Sequence, residues 1–148
     1  MTAASTKADT SASADPWASR KAPSLEDFQA LADAAYAGLP EEFRALCYGI
    51  VIHIDDFPDA ETMKAMECDS EFDLLGLFHG RGLAQRGASM ETGEFPNMIW
   101  LYRRPILDYW AEHDEALGDI VTHVLVHEIG HHFGFSDDDM EAIEEAAK

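Results

Sequence analysis

The fold of this chain is decided near its end by the stretch HEIGHHFGFSD, which runs from His127 to Asp137 and is called the zinc motif below. His127 and His131 are four residues apart, so on a helix their side chains project from nearly the same face. Two imidazoles in that arrangement can bind one Zn²⁺, and Glu128 between them can accept a proton from water that the metal activates. Gly134 predicts the end of this helix, because glycine readily adopts the left-handed turn that follows many helices.

The turn after the helix can bring a third metal ligand back to the two histidines. Catalytic zinc sites keep three protein ligands and a fourth position for water, and Asp137 completes that count. Asp138 and Asp139 follow directly and are alternatives for the third ligand. A structural zinc site has no use for a carboxylate beside its histidine, whereas peptide hydrolysis needs a base, so Glu128 is the predicted catalytic residue of a zinc peptidase. The predicted metal ligands are His127, His131 and Asp137.

Other residues are candidates for supporting roles. His123 lies one turn before the first histidine of the motif, where it either supports the metal ligand or is an ordinary surface or core histidine, the interpretation we favour. His79, with Tyr102 and Arg103, is a candidate for stabilising negative charge on a substrate oxygen. The strand expected over residues 74–79 is either a sheet edge along which an extended peptide lies or a plain core strand.

Composition and charge indicate one acidic domain. The chain has 148 residues, of which 47% are hydrophobic, and this suits a single domain with a sizeable core. Its formal net charge is −19, so nucleic acid would be repelled and is not an expected partner. We interpret the acidity as a well-solvated surface rather than a dedicated site for basic peptides.

The start of the chain differs in composition from the rest. Residues 1–23 are mostly small and polar, which predicts a disordered tail, and residues 24–148 form the expected domain. Nothing has the composition of a signal peptide, and no run is apolar for long enough to span a membrane. Cys47 and Cys68 suit a reducing compartment, although a single bridge between them is an alternative. The expected location is the cytoplasm, without membrane contact.

Hydrophobic spacing predicts short helices and three strands. Ser24 is the expected N-cap of a helix over residues 25–36, and Asp114 is the expected N-cap of the long helix that contains the zinc motif. The expected strands are residues 48–55, 74–79 and 98–102, the first of them buried. Further helical segments are expected after Pro40, over residues 60–68, after Pro105 and over residues 137–147.

Three blocks of sequence together resemble a known family. They are LLGLFHG at residues 74–80, IWLYRRP at residues 99–105 and the zinc motif. In this order, over about residues 40–145, they resemble the small bacterial zincin-like metallopeptidases, also described as minimal metalloproteases. The resemblance implies an α+β zincin-like fold in which a small mixed β-sheet packs against the HExxH helix. It also implies Zn²⁺ as cofactor, with His127, His131 and Asp137 as ligands and Glu128 as the catalytic acid/base.

Two functions of different classes follow from these observations. The first is a zinc-dependent peptidase that acts on peptide or protein substrates, and the intact Glu128 favours it. The alternative is a binding or regulatory module in which the metal holds the last helices together without proteolysis. The motif is metzincin-like with Asp137 in place of the usual third histidine. A metzincin also carries a methionine turn downstream, for which Met140 is not an evident counterpart, and this favours the alternative.

Overall fold

A computed structural model describes residues 15–79 and 97–148 of the chain. The described elements are, in order, helix α1 (Leu25–Ala37), helix α2 (Glu41–Leu46), strand β1 (Val51–Asp55), helix α3 (Ala60–Ala65), strand β2 (Gly76–His79), strand β3 (Met98–Tyr102), helix α4 (Arg103–Glu112), helix α5 (Leu117–His132) and helix α6 (Asp137–Ala146). Most of the predicted disordered tail, residues 1–14, lies outside the described residues.

The three strands form one mixed sheet in the order β1-β3-β2. Strands β1 and β3 are parallel, with Ile52 opposite Ile99, and β2 is antiparallel to β3, with Leu77 opposite Trp100. The central position of β3 agrees with its apolar sequence, because Ile99 and Leu101 are fully buried. This arrangement confirms the predicted α+β fold with a small mixed sheet.

Helix α5, which contains most of the zinc motif, is the central helix of the core. It contacts α1, α4 and α6 as well as β2 and β3. Its buried residues are Ile120, Val121, Val124, Leu125, Val126, Ile129 and Gly130. Gly76 of β2 allows the close approach of this helix, since a Cβ atom there would lie 2.9 Å from Trp100 O and 2.9 Å from Val124 Cγ1. The apolar face of α5 is therefore fixed against the sheet, and His123, His127 and His131 lie outside that face.

Local sequence sets the ends of several helices. Ser24 begins α1 with a capping box, in which its Oγ accepts a hydrogen bond from Asp27 N–H at 3.0 Å and Asp27 accepts one from Ser24 N–H at 2.8 Å. Ser136 begins α6 in the same way with Asp139. After α5, Gly134 adopts a φ of +80°, which confirms the predicted left-handed turn.

Several predicted boundaries are wrong: the helix expected after Pro105 begins at Arg103, the strand expected over residues 74–79 begins at Gly76, and the helix expected over residues 60–68 ends at Ala65. Two others show the reason. Helix α5 begins at Leu117 after Ala116, not after Asp114, because Leu117 packs against the core and a side-chain cap contributes only about 1 kcal/mol. The strand expected over residues 48–55 begins at Val51 and is not fully buried, because β1 lies at an edge of the sheet. In both cases long-range packing outweighs a local signal.

Both cysteines are free thiols. Cys47 is buried and Cys68 is half-buried, so the single bridge that the sequence left as an alternative is not formed. Burial raises the pKa of the Cys47 thiol, which keeps it protonated. Of the helices that the structure describes, none combines the length and the apolar character needed to span a bilayer.

Candidate metal centre

Three histidines of α5 lie outside the face that the core covers, whereas His132 packs against Phe78 of β2 with ring centres 4.3 Å apart. His123, His127 and His131 are spaced four residues apart, so they form a row along the helix, called the histidine row below. Glu128 is displaced from His127 by about 100° around the helix axis and is partly buried. The histidine row and this carboxylate therefore lie on neighbouring parts of the same helix surface.

His127 and His131 stand at a spacing that suits one shared metal ion. Their ring centres are 5.6 Å apart and the ring planes are nearly perpendicular, at 85°. Two imidazoles on one tetrahedral zinc ion place their ring centres roughly 5 Å apart, given Zn–N bonds of about 2.0 Å. Burial, and then the nearby His123, lowers the pKa of His127, so this ring is neutral at neutral pH, the form that binds metals. The separation of the two ring centres is therefore close to the one that a shared zinc ion requires.

Glu128 has the acid–base property that a catalytic carboxylate needs. Burial raises its pKa to about 7, so it can both accept and return a proton near neutral pH. Its charge also reaches Tyr102, whose pKa rises to about 12 through burial first and then through neighbouring acidic groups that include Asp55, Asp59 and Glu128. Glu128 is therefore matched to proton transfer, and Tyr102 keeps its hydroxyl proton.

The chain enters α6 through the turn at Gly134, close to the candidates for the third ligand. In the first turn of α6, the Asp139 carboxylate accepts a hydrogen bond from Ser136 N–H at 3.2 Å, so this side chain acts as a helix cap. Asp137 and Asp138 are exposed in the same turn. Within residues 15–79 and 97–148, Asp137 and the two motif histidines do not form a group of three neighbouring ligand atoms.

A different carboxylate approaches the histidine row. Glu144 of α6 lies 3.1 Å from His123 Nδ1 and 3.1 Å from His127 Nε2. In the part of the chain that the structure describes, these three side chains are the group whose ligand atoms all lie within 4.8 Å of one another. The sequence alone does not point to Glu144. The available signal was the turn at Gly134, which predicts that α6 runs back along α5 as a helical hairpin.

Met140 packs beside the zinc motif. Its side chain is fully buried, and a Cβ atom on Gly130 would collide with it. The glycine inside the motif therefore allows α6 to lie directly on α5. Met140 is not an evident counterpart of a methionine turn from the sequence, and in the structure it joins the last two helices next to the histidine row.

His79 and Tyr102 line one cavity, whereas Arg103 has a different role. The cavity has a volume of about 250 Å³, and its lining includes Asp55, Asp59, Leu77, His79, Trp100 and Tyr102. Arg103 instead donates hydrogen bonds to Pro23 O at 2.6 Å and to the Asp56 carboxylate at 2.9 Å. It therefore ties the start of α4 to the segments before α1 and after β1. Glu128 is one of the acidic groups that raise the pKa of Tyr102, which lines this cavity.

A family model described as zincin-like metallopeptidase matches residues 47–147, which include the sheet and the whole zinc motif. No curated protein matches the chain. Because the matched range covers more than half of the sequence, the chain belongs to the zincin-like metallopeptidase family.

Proposed function

We propose that this protein is a zinc-dependent peptidase in which His127, His131 and Asp137 hold the ion and Glu128 is the general base. Its family supports zinc as the cofactor and peptide bonds as the target. The observation that carries the proposal is the burial of Glu128 beside the histidine row, which raises its pKa to about 7. A carboxylate with that pKa can accept and return a proton near neutral pH, as a general base must.

The side chains around the motif have complementary roles in this proposal. A zinc ion held by the three ligands would polarise the scissile carbonyl and make a water molecule more acidic. Glu128 accepts the proton that the attacking water loses and returns it to the amine nitrogen as the C–N bond breaks. Tyr102, protonated because its pKa is about 12, lines the adjacent cavity and is available to donate a hydrogen bond to the substrate.

Strand β2 is the proposed surface for an extended substrate. It lies at one edge of the described sheet, in the order β1-β3-β2, and a peptide can add to such an edge through main-chain hydrogen bonds. Leu77 and His79 of β2 also line the cavity that contains Asp55 and Tyr102. A substrate side chain can therefore enter this cavity while the main chain follows the strand.

Peptides or unfolded protein segments are the proposed substrates of a catalytic domain over residues 24–148. The cytoplasm is the proposed location, because two free thiols suit a reducing compartment. The net charge of −19 opposes contact with nucleic acid.

A peptide library incubated with the metal-replete protein tests the proposal. The wild type should release cleavage products, and chelation should stop this release. Glu128→Gln preserves side-chain shape and removes the base, so it should bind zinc normally while the cleavage rate falls by at least about 100-fold. Glu26→Gln, at an exposed position in α1, is the matched control and should cleave at the wild-type rate. Undiminished cleavage by Glu128→Gln would refute the assigned role.

The second candidate function is a metal-stabilised binding or regulatory module. The contact of Glu144 with His123 and His127 favours it, because these side chains join α5 to α6. In that case chelation would lower the Tm, and the metal-replete protein would leave every peptide intact. Cleavage that is abolished both by the chelator and by Glu128→Gln decides for the peptidase.

A further inference from the structure

A second group of metal-binding side chains lies on the flank of α5 that faces away from Glu128. Measured around the helix axis from His127, Glu128 is displaced by about 100° in one direction and His123 by about 40° in the other. Glu144 approaches on the His123 side, and its carboxylate lies 3.1 Å from nitrogens of both His123 and His127. Neither His123 nor Glu144 belongs to the zinc motif.

The spacing of these atoms suits a divalent ion. All three residues offer ligand atoms that lie within 4.8 Å of one another. Ligand atoms on a tetrahedral zinc ion are roughly 3.3 Å apart, since Zn–N and Zn–O bonds are about 2.0–2.2 Å long. Two histidines and one glutamate are also a ligand set that zinc uses in other proteins. The rings of His123 and His127, with centres 3.9 Å apart, would separate slightly to admit the ion.

The surroundings of the three side chains allow a cation to reach them. The side chains of His123, His127 and Glu144 retain 50%, 26% and 21% of their exposure. A cavity of about 300 Å³ beside them is lined by three carboxylates, those of Glu115, Asp119 and Glu144, and by one lysine, Lys148, as well as by His123 itself. The resulting negative potential favours the entry of a divalent cation.

We propose that His123, His127 and Glu144 form a second divalent-metal site, called the flanking site, which shares His127 with the zinc motif. A neutral imidazole offers one nitrogen lone pair to a metal because its other nitrogen carries a proton. His127 therefore binds one ion at a time, and these two neighbouring positions together hold a single ion. Without metal, the same side chains are hydrogen-bonded and join α5 to α6. The flanking site does not depend on peptidase activity.

Zinc binding by variants of the full chain tests this proposal. Metal-free protein is titrated with Zn²⁺ by isothermal titration calorimetry, and native mass spectrometry counts the bound ions. Wild type and His131→Ala should each bind one ion, because His131→Ala leaves the flanking site intact. His127→Ala removes the shared ligand and should weaken binding by more than about 100-fold.

Further substitutions in the His131→Ala background locate the remaining ion. Adding His123→Gln and Glu144→Gln together should weaken Zn²⁺ binding by more than about 100-fold. Adding Glu145→Gln, on the same helix and 68% exposed, is the matched control and should leave binding unchanged. Circular dichroism of each metal-free variant establishes that it is folded. If Glu144→Gln unfolds the chain, His123→Gln alone should still weaken binding at least about tenfold, since His123 is half-exposed.

Three outcomes would overturn the flanking site. One is that His131→Ala binds zinc no better than His127→Ala. Another is that His123→Gln and Glu144→Gln leave the zinc affinity of His131→Ala unchanged. The third is that the wild type binds two ions, which contradicts the shared ligand. None of these measurements involves peptide cleavage, so failure here is distinguishable from failure of the proposed peptidase function.

Discussion

The buried position of Glu128 affects stability in a way that can be measured without substrate. Burial raises its pKa from 4.5 to about 7, so between these pH values the folded protein binds more protons than the unfolded chain. The free energy of unfolding must then fall as the pH rises through this window. The full loss, reached above the pKa of about 7, is about 3 kcal/mol.

Glu128→Gln removes this titration and should therefore change the pH dependence of stability. We expect the metal-free variant to match the wild type at pH 4.5 and to be more stable by about 2–3 kcal/mol near pH 8. Urea unfolding in the presence of EDTA, repeated across this pH range, measures the difference. Glu26→Gln is the control, because an exposed glutamate should give no such gain. If the free energy of unfolding of Glu128→Gln depended on pH in the same way as that of the wild type, the Glu128 carboxylate would not be desolvated.

The third ligand of the zinc motif can be tested with two neighbouring aspartates. The measurement belongs in the background of His123→Gln and Glu144→Gln, where the flanking site is absent. Asp137→Asn should weaken Zn²⁺ binding by more than about 100-fold. Removing a residue that is only hydrogen-bonded to a metal ligand already lowers metal affinity by about 10–100-fold, and removing a ligand should lower it further. Asp138→Asn, which removes the same charge from the same exposed helix turn, should weaken it less than about threefold. Equal effects of the two variants would contradict the assignment of Asp137.

These side chains differ in how far the sequence could identify them. His127, Glu128 and His131 were identifiable because a fixed helical spacing places them on one surface wherever the helix lies. Glu144 was not, because its approach depends on the packing of α6 against α5. That packing involves a buried Met140 side chain against Gly130, a contact between residues in different helices. Spacing within one element is local information, whereas contact between elements is not.

Among the secondary-structure elements, β2 lies close to both a strand and a helix at Gly76. A Cβ atom on Gly76 would lie 2.9 Å from Trp100 O in β3 and 2.9 Å from Val124 Cγ1 in α5. The first atom belongs to a paired strand and the second to a buried helix, so neither can move away easily. Gly76→Ala should therefore lower the free energy of unfolding by about 1–3 kcal/mol in urea titrations.

Gly118→Ala is the matched control for this substitution. Its Cβ atom would lie 3.8 Å from Leu31 Cδ1, an ordinary contact, and alanine favours a helix over glycine. The free energy of unfolding should stay the same or rise by up to about 1 kcal/mol. A neutral result for Gly76→Ala beside this control would mean that β2 can shift away from α5.

Helix ends and strand positions were predictable to different degrees. The N-cap at Ser24 and the turn at Gly134 depend on residues within one turn of the helix end, and the structure confirms both. The start of α5 depends instead on the packing of Leu117 against the core. Whether a strand lies at the centre or the edge of a sheet depends on which strands pair, and periodicity within a strand does not specify this. The strand expected over residues 48–55 therefore exists as β1, but the prediction that it is buried is wrong.

For the molecule as a whole, the dominant electrostatic property is its excess of negative charge. The net charge of −19 arises from 29 acidic and 10 basic residues. These charges are closer together in the folded protein than in the unfolded chain, so their repulsion opposes folding. Among the described residues, the ion pairs of lysine or arginine with a carboxylate are Arg103 with Asp56 and Lys148 with Glu145. Such surface pairs contribute little stability and do not offset the repulsion.

Salt should therefore stabilise the metal-free protein. The screening length falls from about 30 Å at 0.01 M salt to about 8 Å at 0.15 M salt, which shortens the range of the repulsion. Between about 0.01 M and 0.5 M NaCl we expect the Tm to rise by several degrees, equivalent to roughly 1–2 kcal/mol. Thermal melts followed by circular dichroism in EDTA measure this rise, and KCl should reproduce it because only ionic strength matters. A Tm that falls with added salt would mean that local attractions outweigh the net repulsion, and the acidic residues would then be more than a solvated surface.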